Sequence, residues 1–229
     1  MNPKLLLRSA VHDVLYHSYV KSRMRREVTT TILQRPFLVV PTVFHPRFYY
    51  SSRIFVNFIR TLDLVGKKVL DMGTGSGVLA VFAALQGANV TAVDKNPEAV
   101  RCAEFNSEKN GVGDKVRVLL GDLFSPLNGG DRFDYMFFNP PFYPREPSSI
   151  ADLAWKAGKR FRLLLPFVQE AQTHLERGGR IYLIVSSDVS VEHLLELFRR
   201  RGYSVQARFK KNLLFERMII YELALDRCG

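Results

Sequence analysis

The run Val69-Leu70-Asp71-Met72-Gly73-Thr74-Gly75-Ser76-Gly77 decides how this chain is read. Four strand-forming residues lead into a turn with glycine at every second position, and residues 76–86 then take up helical spacing. A strand that passes through glycines into a helix start leaves backbone N–H groups free and lets a ligand come close. The segment therefore reads as a bed for a nucleotide-like molecule. It departs from the dinucleotide fingerprint, because Ser76 and Gly77 close the turn early and no G-x-x-G spacing follows. A carboxylate at Asp71 repels a pyrophosphate but suits an ammonium or sulfonium group. That favours S-adenosylmethionine over NAD(H).

Outward from this turn the sequence keeps a strict rhythm. Strands are expected at Asn89 to Val93, Val116 to Leu120 and Tyr135 to Phe138, with a helix over 97–110 that opens on Pro97. A helix over about 155–176 follows, then Gly178-Gly179 as a break before a strand from Ile181 to Ser186. A helix over 189–201 leads to strands at 203–209 and 214–225, with Lys210-Lys211 in the turn between them. Alternating units of this length imply a parallel sheet with helices on both faces. The last two strands are joined too tightly for a crossover and should be antiparallel neighbours. On the N-terminal side, residues 9–27 show a helical stripe, 37–50 suggest short strands or a hairpin punctuated by Pro41 and Pro46, and 52–64 return to helical spacing. The protein thus divides into a basic N-terminal extension of helix and short strands, 1–60, and a main α/β domain, 61–229.

Four polar residues fall at the carboxyl ends of successive strands: Asp71, Asp94, Asp122 and Asn139. Open α/β sheets bind ligands there. Asp94 stands 21 residues after Gly73, where its carboxylate can take both ribose hydroxyls. Asp122 can accept an adenine amino group, with Leu123 or Phe124 packing on the ring. Downstream stands Asn139-Pro140-Pro141-Phe142. An amide or amino NH2 is a poor nucleophile because its lone pair is conjugated. Asn139 offers the carbonyl oxygen of its amide, Pro140 the carbonyl oxygen of its backbone, and Phe142 a ring to stack on the flat group. Such a clamp holds the nitrogen toward an electrophile.

The bulk numbers set bounds. With 229 residues, 47% hydrophobic and 24% charged, the sequence suits one domain with a sizeable core. Its formal charge is +11, and residues 1–60 hold ten Lys/Arg against two Asp/Glu. That skew favours an acidic partner such as RNA or a ribonucleoprotein. Phe48, Tyr49 and Tyr50 beside Arg47 and Arg53 suit single-stranded RNA or a hydrophobic lid over the ligand. Cys102 and Cys228 form neither a disulfide framework nor a metal cluster. The early apolar runs are too short for a signal segment or a membrane span. The reading is a cytoplasmic protein without a metal.

Together, Asp71 to Gly77, Asp94, Asp122 and Asn139 to Phe142 resemble a class I S-adenosylmethionine-dependent methyltransferase over roughly residues 65–225. The resemblance implies a Rossmann-like, doubly wound seven-stranded sheet with the last strand antiparallel. Asn-Pro-Pro-aromatic marks the branch acting on amide or exocyclic amino nitrogens, and the sequence looks most similar to HemK/PrmC-type glutamine N5-methyltransferases of translation release factors. Ala154-Trp155-Lys156-Ala157-Gly158 also resembles their eukaryotic and archaeal relatives. The implied cofactor residues are Ser52, Asp71, Gly73, Thr74, Gly75, Gly77, Asp94, Lys95, Asp122, Leu123 and Asn139. The implied catalytic residues are Asn139, Pro140 and Phe142. Phe142 stands where the family usually has Tyr, and Phe44-His45-Pro46-Arg47 replaces an acidic segment. The acceptor that the resemblance implies is a release-factor glutamine; RNA (less so DNA) adenine N6 is the alternative, and a non-catalytic RNA- or partner-binding relic is a third.

Overall fold

The computed structural model describes residues 26–43, 50–141, 164–187, 191–213 and 217–225. It opens with a hairpin, β1 (Val28–Ile32) and β2 (Arg35–Val39), in register from Val28↔Val39 to Ile32↔Arg35. The backbone reverses at Leu33 and Gln34, both at positive φ, as a two-residue loop between twisted strands requires. The β-branched run Val28-Thr29-Thr30-Thr31-Ile32 supplies the first strand. The hairpin thus lies earlier than the 37–50 segment expected from sequence and shares only 37–39 with it. Helix α1 (Tyr50–Ile59) stops short of residue 64. There the Thr61 and Leu62 N–H groups bond three residues back, to Phe58 and Ile59, and tighten the last turn.

The main sheet contains β3 (Lys68–Met72), β4 (Asn89–Asp94), β5 (Val116–Leu120), β6 (Phe133–Phe138), β7 (Leu175–Ser186), β8 (Tyr203–Asn212) and β9 (Arg217–Leu225). Their spatial order is β5-β4-β3-β6-β7-β9-β8. Strands β3 to β7 run parallel, while β9 is antiparallel to both β7 and β8. This is the Rossmann-like sheet expected, with the last strand reversed and inserted between β7 and β8. The order turns back between β3 and β6, so the carboxyl ends of those strands flank a crevice.

Among the described residues, four helices alternate with the strands: α2 (Val78–Leu85), α3 (Pro97–Lys109), α4 (Leu165–Glu170) and α5 (Glu192–Arg199). The two faces of β3 sort its residues. Val69 joins a core with Phe55 and Ile59 of α1, Val81 of α2, and Ile32 and Phe37 of the hairpin. Leu70 and Met72 join the opposite core with Phe167 of α4 and Leu194 and Phe198 of α5. Rings knit each layer: Phe55 meets Phe137 edge-on at 5.6 Å, and Phe138 meets Phe167 at 4.5 Å.

Further boundaries differ from the sequence reading. β7 starts at Leu175 and runs through Gly178-Gly179, which the pattern reads as a break. The pairing jumps from Phe133↔Leu175 to Tyr135↔Arg180, so the extra β7 residues bulge out, with Gly178 at φ +81. Lys210 and Lys211 belong to β8, where they pair with Ile219 and Met218, rather than to a turn. The described part of the expected 155–176 helix is α4 and a 3-10 turn, Ala171–His174. Most of the expected 9–27 helix, residues 44–49, Phe142 and Trp155 lie outside the described residues.

Candidate active site

The glycine turn is pinned before any ligand is considered. The N–H groups of Gly73 and Thr74 both donate to the carbonyl of Val93, at 2.8 and 3.0 Å, tying the end of β3 to β4. Gly75 sits at φ +57 and Gly77 at φ +78, in the left-handed region that side chains resist. At Gly77 a second demand applies: a Cβ would stand 2.9 Å from the Ala103 backbone, because α2 starts hard against α3.

Asp71 alternates with Leu70 and Met72, so it faces α2. It is 1% exposed. Its Oδ2 accepts from Thr74 Oγ1 at 2.6 Å and from the Ala80 N–H at 3.1 Å. The carboxylate thereby serves the first turn of α2, whose N-cap glycine has no side chain to offer. Its Oδ1 has no hydrogen-bond partner among the described residues, and burial raises the carboxyl to about 7. Expected at the cofactor, Asp71 instead lies beneath the turn. Gly77 and Pro140 also stand outside the crevice lining.

The crevice collects the other described residues read from sequence: Ser52, Gly73, Thr74, Gly75, Asp94, Lys95, Asp122, Leu123 and Asn139. Asp94 ends β4 with each oxygen anchored, Oδ2 by the Gly75 N–H and Oδ1 by the Asn96 N–H, both at 2.9 Å. Burial pushes its carboxyl upward, and those two backbone donors pull against the rise. Each oxygen keeps a lone pair for a further donor. Lys95 Nζ stands 3.6 Å from Asp122 Oδ1, an exposed bridge between the ends of β4 and β5. Leu123 lines the crevice at φ +50, a backbone state costing about 1–3 kcal/mol for a residue with a side chain. Phe124 turns into the core and stacks on His174 at 5.0 Å, so of the two residues offered for a ring contact only Leu123 reaches the crevice.

Asn139 stands directly past the end of β6 and lines the crevice. Its Nδ2 donates to Ser51 Oγ at 3.2 Å, while its Oδ1 is buried with no partner among the described residues.

Sequence reasoning missed the hairpin's share. Thr42 and Val43 line the crevice, and Val43 Cγ1 comes within 3.8 Å of where a Gly75 Cβ would be. Two asparagines hold this wall. Asn106 donates to Leu38 O and Ser76 O, both at 2.8 Å, and accepts from Leu38 N at 2.7 Å. Asn96 donates to Thr42 O at 3.1 Å while its Oδ1 accepts from Glu98 N and caps α3. Asn96-Pro97 is a readable helix start; nothing local marks Asn106.

Sheet order, switch point and a glycine turn opposite acidic strand ends, with the family match over most of the chain, identify an S-adenosylmethionine-dependent methyltransferase. Residues 35–210 match the Methyltransferase small domain, and the chain belongs to that family. Over 183 residues it is 28% identical to a Methanocaldococcus jannaschii protein provisionally named a protein N5-glutamine methyltransferase, covering 77% of this chain and 91% of that one. A release factor glutamine methyltransferase of Geobacter sulfurreducens is 32% identical, over 73% of this chain and 61% of its own length. A ribosomal RNA small subunit methyltransferase C of Alcanivorax borkumensis is 30% identical, over 79% and 53%. The chain spans little more than half the length of these last two relatives. A solved T. thermophilus 16S rRNA N2 methyltransferase, in complex with S-adenosylmethionine and guanosine, has a TM-score of 0.64 at 22% identity, covering 86% of this chain and 50% of that one.

Proposed function

We propose that this enzyme methylates the side-chain amide nitrogen of a glutamine in a translation release factor. The observation that carries the proposal is the Oδ1 of Asn139, a buried acceptor at the end of β6 beside the crevice with no partner among the described residues. A buried carbonyl without a donor is costly, on the order of 1–3 kcal/mol. A planar NH2 supplies the missing donor. The Phe142 ring is the stacking surface in this reading. Accepting N–H bonds draws electron density toward the nitrogen and fixes its lone pair on one line.

The remaining crevice residues fit S-adenosylmethionine. Asp94 has lone pairs to spare for two ribose hydroxyls, Asp122 an exposed carboxylate for an amino group, and Leu123 an apolar face for a ring. Gly73, Gly75 and Ser52 also line the crevice, where the amino-acid tail completes the fit. When bound, the cofactor supplies a methyl group on a sulfonium, which needs no acid to leave. The protein's task is then to hold the nitrogen in line and keep water from its place.

Two relatives named for glutamine methylation support this acceptor, one of them matched over 91% of its length. The basic surplus and the ribosomal RNA relative favour a nucleobase amino group as the second reading. Incubation of the enzyme with labelled cofactor and cell extract, followed by RNase or protease, separates them. Label removed by protease and mapped to a glutamine supports the proposal; label released by RNase overturns it.

A further inference from the structure

We infer that Ser51 is a positioning residue that holds Asn139 with its carbonyl free for the acceptor nitrogen. The inference rests on the glutamine reading of the site. Helix α1 buries an apolar face, Ile54, Phe55, Val56, Phe58 and Ile59, into the core beside the sheet. Its first turn interrupts that pattern with two buried hydroxyls, Ser51 at 4% and Ser52 at 7% exposure. A hydroxyl removed from water is unfavourable unless it is hydrogen-bonded. Ser52 borders the crevice, whereas Ser51 is spent on Asn139, whose Nδ2 donates to Ser51 Oγ at 3.2 Å across 88 positions of sequence.

The two ends of a primary amide have nearly the same shape, so packing alone does not choose which faces the acceptor. Turned about, Asn139 would set NH2 against NH2, donor against donor. Ser51 gives Nδ2 an acceptor whenever Oδ1 engages the incoming N–H group. With alanine there, every productive encounter would leave the part-buried Nδ2 without its Ser51 acceptor. Ser51 therefore acts through Asn139 and needs no contact with cofactor or acceptor.

The test uses the full-length protein and an isosteric pair, Ser51→Thr and Ser51→Val, alongside Ser51→Ala. Turnover is measured on recombinant release factor, cofactor affinity by calorimetry, and the Asn139 side-chain NH2 by NMR, assigned through Asn139→Ala. The expected result is a fall in kcat of about ten- to a hundredfold for Ala and Val. Thr should rescue most of it, and cofactor affinity should stay within about twofold for all three. In Ala and Val the Asn139 NH2 resonances should shift and exchange faster with water; in Thr they should stay near wild type. Equal kcat for Thr and Val, whether both high or both low, overturns the inference, because only the hydroxyl distinguishes them. The NMR arm needs no acceptor, so unmoved NH2 signals in Ser51→Val overturn it as well. A fully active Asn139→Ala would instead sink the glutamine reading itself. An inactive Asn139→Ala beside a wild-type Ser51→Ala would remove Ser51 alone.

Discussion

The crevice has two halves built on different plans. In the cofactor half, side-chain oxygens accept backbone N–H bonds from the turns around them. Asp71 serves Thr74 and Ala80, Asp94 serves Gly75 and Asn96, and Asn96 caps its own helix. In the proposed acceptor half, Asn139 is anchored by a serine 88 positions away and its carbonyl has no partner among the described residues. Asp94 is anchored on both oxygens before a ligand arrives, whereas Asn139 Oδ1 still lacks a donor among the described residues. In the proposed reading, a site that binds the cofactor and a site that acts on a weak nucleophile are thereby separated along the carboxyl ends of one sheet.

The sharpest way to break this contrast is to remove the unpaired carbonyl. Asn139→Ala should lower kcat by on the order of 100- to 1,000-fold, the usual scale for one preorganised polar group, while cofactor affinity changes less than about threefold. Single-turnover transfer and calorimetry measure the two separately. A large loss of cofactor affinity would show that Asn139 belongs to the cofactor half, and the division would fall.

Asp94→Ala should do the reverse. It removes the acceptor for the Gly75 and Asn96 N–H groups together with the proposed ribose contacts. Cofactor Kd should rise about 30- to 100-fold, with kcat at saturating cofactor little changed. A lowered kcat without a change in Kd would contradict the assignment.

The difference between the halves also explains what the sequence discloses to a reader. Glycine turn, acidic strand ends and alternating strands are short-range patterns, and the seven-stranded sheet follows from them with small shifts at element ends. The facing of Asp71 was not legible, because its role depends on which side of β3 carries α2. The Ser51–Asn139 bond and the Asn106 clamp were equally hidden, since each joins segments that only the folded topology brings together. The Gly178-Gly179 pair misled because glycine marks a bulge within a strand as readily as a break before one.

Asp71 offers a test that leaves catalysis aside. Burial raises its carboxyl from 3.8 to about 7, so between those values the folded state binds a proton that the unfolded state has released. Stability from this group therefore falls as pH rises from about 4 to 7, by on the order of 4 kcal/mol, and stays low above that. Asp71→Asn keeps an oxygen for Thr74 and Ala80 without the charge. Chemical denaturation from pH 4 to 8 should show the variant gaining on wild type as pH rises, most at the alkaline end. A constant difference would mean that Asp71 keeps an ordinary pKa in the fold.

The smallest effect is expected at the rim. Lys95 and Asp122 pair at 3.6 Å with side chains well open to water, so Coulomb attraction is largely screened. Lys95→Ala should change folding stability by less than about 0.5 kcal/mol and cofactor Kd by less than about threefold. Raising salt to about 1 M, where screening acts over roughly 3 Å, should erase whatever difference remains. A tenfold rise in Kd that persisted in high salt would give the lysine a direct, desolvated contact with the ligand. The cofactor half would then owe part of its binding to a mobile surface charge as well as to carboxylates locked by backbone N–H groups, and its contrast with the acceptor half would narrow.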